Sequence, residues 1–91
     1  MNLPKDEQDA LTQQVMAVKR THQAELLMKA NVVGVGVGFR SQKGARTDQV
    51  ALVVMVSRKM PKSQLKPKDL LPLEIEGVPV DVQEVGEVKA L

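Results

Sequence analysis

The chain has no cysteine, no tryptophan and no tyrosine, and Phe39 is its one aromatic residue. Without cysteine, neither a disulfide framework nor a thiolate metal site is open to it, and a reducing compartment fits. Without aromatic platforms, stacking of single-stranded bases is disfavoured. So is an interface anchored on Trp and Tyr. No apolar run approaches the roughly 20 residues of a membrane span. The opening "MNLPKDEQDALTQQ" is polar and carries no secretory apolar region. These absences lead to an expectation of a soluble, cytoplasmic protein with no cofactor, whose core is Val, Leu and Met. At 91 residues a single domain, 1–91, is expected, with marginal stability unless something helps.

Net charge is only +2, but it is unevenly spread. The stretch 40–68 is basic and holds Arg40, Lys43, Arg46, Arg58 and Lys59, with Asp48 as its one acid. From Asp69 onward the chain is acidic, with Lys89 as the exception. Such asymmetry can mark a nucleic-acid or membrane partner, or two complementary faces that meet in an assembly. Of the three readings, solvated loops flanking strands is the simplest and is favoured.

The period of the apolar residues assigns the elements. Leu11, Val15, Val18, His22 and Leu26 recur at spacings of three and four, one helical face over about 4–30. Ala17, Ala24 and Met28 are expected to widen it. Pro4 suits the first turn, and Asp6, Glu7 and Asp9 complement the dipole there. Lys29 falls in the expected last turn, and Asn31 suits a left-handed C-cap.

From residue 31 the period becomes two. In "NVVGVGVGFR", Val33, Val35, Val37 and Phe39 alternate with Val32, Gly34, Gly36 and Gly38. This predicts a strand over 31–40. "SQKGARTD" reads as a polar turn or loop, and 49–59 as a second strand joined by a hairpin. That strand is apolar on both faces: Val50, Leu52, Val54 and Val56 against Ala51, Val53 and Met55. Strands of this kind are covered on both sides. One long helix covers one side, so the other calls for a second layer or a second copy of the chain. Pro61, Pro67 and Pro72 limit the next segment to short turns, with Ser63 a cap for the first. Strands are expected again at 73–76 and 78–88, around a tight turn at Glu76 and Gly77. Pro79 suggests an edge position.

No motif here specifies catalysis. The glycine spacing is G-x-G-x-G, whereas a dinucleotide fingerprint needs G-x-G-x-x-G before a helix. A phosphate loop needs Gly-Lys-Ser/Thr, and Gly38 precedes Phe39 and Arg40. The better reading is a bare strand face that lets the helix or a neighbouring subunit approach closely. His22 has no second His or Cys to complete a metal site and reads as a partly buried structural residue. Ser41, Ser57 and Ser63 lack a nucleophile elbow.

Three segments in order, "NVVGVGVGFR", "VALVVMVSRKMPKSQLKPKDLLP" and "EGVPVDVQEVGEV", carry a resemblance over about 31–88. They resemble the N-terminal module ahead of the protease domain in some bacterial trypsin-like serine peptidase-like proteins. Gly34, Gly36, Gly77, Pro79, Asp81, Val82 and Gly86 fall where that pattern wants them. The chain stops at Leu91, where a protease domain would begin, and no catalytic set is present to carry over. The resemblance therefore implies a non-catalytic module, pro-region-like or an assembly element. Met1 and the helix favour a stand-alone chain, with a fragment left open.

The expectation is an α+β fold: a long N-terminal helix on a small three- to four-stranded antiparallel or mixed sheet. The expected function is non-enzymatic: self-association into a homo-oligomer, or pairing with another protein chain. Gly34, Val35, Gly36, Val37, Val53 and Met55 are the candidate interface. The alternative is an anion- or nucleic-acid-binding module using Arg40, Lys43, Arg46, Arg58 and Lys59.

Overall fold

The computed structural model describes residues 5–86. Helix α1, Lys5–Leu27, is followed by strands β1 (Val32–Gln42), β2 (Ala45–Val56), β3 (Glu74–Ile75) and β4 (Val78–Glu84). The four strands form one mixed sheet in the order β1-β2-β4-β3. β1 and β2 pair antiparallel, β2 and β4 parallel, and β3 and β4 antiparallel. The architecture is the expected α+β. The expected helix start at Pro4 and strand end at residue 88 lie outside the described residues.

α1 is uninterrupted by glycine or proline, and Asp6 and Glu7 occupy its first turn. Val15, Val18 and Leu26 are its buried residues. Ala17, Ala24 and Met28 do not widen that face; all three are exposed, Met28 by 86%. The helix ends at Leu27, short of the expected Ala30. Its close tightens through three-residue bonds, Met28 N to Glu25 O and Lys29 N to Leu26 O, which satisfy carbonyls the helix leaves free. Lys29 therefore sits beyond the last turn, and its ammonium donates to Lys68 O at 2.6 Å. Asn31 takes φ 75°, as a left-handed cap does.

The polar stretch after β1 is not a loop. Both strands run through it and leave only Lys43 and Gly44 between them. Their φ values of 52° and 79° are those of a two-residue type I′ hairpin turn. Glu76 and Gly77 repeat the device between β3 and β4, with φ 50° and 80°, as expected. The connector 57–73 gives the chain length to return parallel to β2. It holds two short 3-10 turns, Lys62–Gln64 and Pro67–Asp69. Ser63 lies inside the first of these rather than capping it.

One core lies between α1 and one side of the sheet. Val15, Val18 and Leu26 meet Leu52, Val54, Val56, Val78 and Val80, with Val35 and Val37 packed alongside. Val32 joins them, although strict alternation puts it with the glycines. The register shifts between Val32 and Gly34. A β-bulge there inserts an extra residue, and the alternation changes side. Pro79 is not on an edge strand. It precedes the β2 ladder, which begins at the Leu52 and Val80 pair, so its missing N–H costs no bond there.

Candidate functional site

The side of the sheet away from α1 carries the notable arrangement. Gly34, Gly36 and Gly38 of β1 stand opposite Met55, Val53 and Ala51 of β2. A methyl group added at Gly34 would lie 2.9 Å from Met55 Cε, and one at Gly38 would lie 3.2 Å from Val53 Cγ2. The bare strand is thus occupied by side chains of its neighbour. Met55 and Val53 lie across β1, which leaves Val53 only 7% exposed although it is outside the helix-side core. Within the chain, the close approach is made by the neighbouring strand rather than by the helix.

The six candidate interface residues do not share one surface. Gly34, Gly36, Val53 and Met55 lie on the side away from α1. Val35 and Val37 pair with Val54 and Leu52 and pack on the helix-side core. Both groups meet at β1, an edge strand of the sheet. Beside Val53 stands Asp81, its partner in β4. Asp81 is a buried carboxylate that accepts a 2.9 Å hydrogen bond from Gln83 Nε2. No segment among the described residues is part of a core on this side.

The five basic candidates separate as well. Arg40, Lys43 and Arg46 surround the β1–β2 hairpin turn. Arg58 and Lys59 follow the far end of β2. At about 3.3 Å per residue along a strand, the two groups stand on the order of 30 Å apart. Near the turn the charges are engaged locally. Arg40 Nη1 donates to Gln49 Oε1 at 3.1 Å, and Arg46 lies 5.9 Å from the Phe39 ring centroid. A basic run that is continuous in sequence therefore makes no continuous patch.

His22 links the helix to the sheet. Its Nε2 lies 2.8 Å from Glu76 Oε2 in the β3–β4 turn, and Glu25 Oε2 is 3.9 Å from its Nδ1. A carboxylate only accepts, so Nε2 carries a proton in this arrangement. Among the described residues no cluster of three His, Cys, Asp or Glu side chains could hold a metal. Ser57 is tied to Asn31 Oδ1, and Asn31 Nδ2 donates to the Arg58 carbonyl. Asn31 so joins the end of the helix to the end of β2. Its sequence signal, a cap after a helix, reveals the backbone conformation but not these partners.

The family model for the NARROW LEAF 1 N-terminal domain matches residues 7–85, which takes in nearly all of α1 and all four strands. The chain belongs to that family. Over 75 residues, 82% of the chain, it is 36% identical to Protein NARROW LEAF 1 of Oryza sativa subsp. japonica. That stretch is 12% of the rice protein, so the chain spans about an eighth of this relative. The match overturns the resemblance to a module of bacterial trypsin-like peptidase-like proteins. NARROW LEAF 1 N-terminal similarity begins inside α1, which that resemblance left out. The motif positions behind it answer to backbone geometry. Gly77 and Gly86 have φ of 80° and 76°, and Gly34 makes room for Met55. A pattern set by turns and close approaches recurs wherever such turns recur, so it is a poor guide to family.

Proposed function

We propose that this NARROW LEAF 1 N-terminal family member is a non-enzymatic interaction module that self-associates through the side of the sheet away from α1. The observation that supports this is the placement of cover. α1 packs on Leu52, Val54 and Val56, while Ala51, Val53 and Met55 of the same strand lie on the other side, outside that core. The partner is a second copy of the chain, seated over Met55, with the buried Val53 beside it. The glycines of β1 keep this surface low, so another sheet can come close. Val35 and Val37 contribute at the β1 edge. The sequence lacks cysteine, which suits a reducing, cytoplasmic setting. Among the described residues no helix is long and apolar enough to cross a membrane.

Light scattering coupled to size exclusion, at low and moderate salt, tests this reading. A salt-stable mass of several subunits is expected. Val53→Lys should reduce it to the monomer mass. Met55→Lys should do the same with less risk to the fold, because Met55 is only partly buried. A monomer at all concentrations, or assembly unchanged in folded variants, would defeat the proposal.

Anion or nucleic-acid binding by Arg40, Lys43, Arg46, Arg58 and Lys59 is the second reading. The 2 separated basic clusters weaken it, because phosphate binding grows with the number of cations engaged together. It requires binding to duplex or single strands that falls steeply with salt.

A further inference from the structure

A cavity of about 270 Å³ opens between the end of α1, the ends of β2 and β4, and the connector 57–73. Its walls are aliphatic: Val56, Val80 and Val82 from the sheet, and Met60, Leu65 and Leu71 from the connector. Four polar residues also line it. Two of them are already engaged. Asn31 is bonded to Ser57 and to the Arg58 carbonyl, and Asp69 Oδ1 accepts from Ala30 N at 2.9 Å.

The other two are Arg58 and Lys59. Both are exposed, and among the described residues neither side chain enters an ion pair or a hydrogen bond. Their backbones are nonetheless held. Asn31 binds the Arg58 carbonyl, and the Lys59 amide donates to Glu84 Oε1 at 2.8 Å. Two cations with fixed main chains thus stand beside an aliphatic cavity.

We propose that this cavity binds an unbranched aliphatic monocarboxylate. Its tail lies among Val56, Met60, Leu65, Leu71 and Val82, and its head sits at Arg58 and Lys59. A guanidinium favours a carboxylate through paired donors. Asp69 lines the same cavity and disfavours a multiply charged head such as a polyphosphate. The absence of aromatic walls suits a flexible chain better than a planar ring. The cavity is on the helix side of the sheet, so the proposal does not rest on self-association.

The test is an NMR titration of the isotope-labelled chain with octanoate, 1-octanol and acetate. Octanoate should shift the amides of Asn31, Arg58, Leu71 and Val82, and acetate should shift none. The alcohol should bind about tenfold more weakly, for want of the charge-assisted head contact. From hexanoate to octanoate, affinity should rise about fourfold per methylene. Arg58→Gln with Lys59→Gln should remove the preference for octanoate and leave octanol binding in place, which also reports that the cavity is intact. No octanoate shifts at millimolar concentration would overturn the proposal. So would equal affinity for the alcohol, shifts that map to the β1 edge, or a preference that survives the double variant.

Discussion

The two sides of the sheet start from similar residues in β2 and solve the problem of water in different ways. On one side Leu52, Val54 and Val56 are covered by a helix laid over them. On the other, Ala51 and Val53 are buried with no part in that core. There the neighbouring strand gives up its side chains, and Met55 and Val53 lie down in the space. A sheet side can thus be shielded partly from within, by pairing glycines with large side chains across strands. Such shielding leaves a low, apolar surface, where a helix leaves a thick polar one.

Leu52 and Val53 are adjacent in β2 and compare the two sides most directly. Leu52→Ala should cost about 2–5 kcal/mol, because a fully buried side chain leaves a cavity under the helix. Val53→Ala should cost only about 1.5 kcal/mol, the loss of two methyl-sized groups from the thinner side. Denaturant midpoints of both variants check this, and equal losses would mean that the two sides are packed alike. Next in size is Gly77→Ala, at about 1–2 kcal/mol, since φ of 80° is strained for any residue with a side chain. Thermal melts would register it as a fall in Tm.

The glycines should also differ among themselves. Alanine at Gly34 meets the end of Met55, which can swing aside. Alanine at Gly38 meets Val53 Cγ2, a stiff β-branched side chain. Gly38→Ala should therefore be the less stable of the pair by about 1 kcal/mol in equilibrium unfolding. Smallest of all, His22→Gln should cost about 0.5 kcal/mol. Its link to Glu76 is partly exposed, and such links contribute little. A loss above 2 kcal/mol in calorimetry would make His22 a structural anchor of the helix side.

Much of this contrast could be read before the structure. The change of period near Asn31, the two-sided pattern of β2, and the turn at Glu76 and Gly77 are local signals, and all three hold. The glycine partners were hidden because they depend on register. The bulge near Val33 moves Val32 to the helix side, and no one-dimensional alternation shows it. The hairpin itself was legible, but its two-residue turn was not, because Lys43 in a left-handed conformation is an uncommon choice. The basic stretch misled for a geometric reason: an extended strand separates its two halves. The aliphatic cavity left only a faint trace, Leu65 and Leu71 set among prolines.

The parallel return of β4 has a further consequence, for the order in which the chain assembles. β1 and β2 are joined through two residues, whereas β4 reaches β2 only after the connector 57–73 has closed. Closing a longer loop costs more entropy before contacts reward it, and non-local pairing is the slower event. The hairpin and α1 are therefore expected to form first, and β4 to dock last. φ-values near 1 in the hairpin and near 0 at Val80 and Val82 would be the kinetic signature. Until β4 docks, one edge of β2 stands unpaired, an open template for another strand.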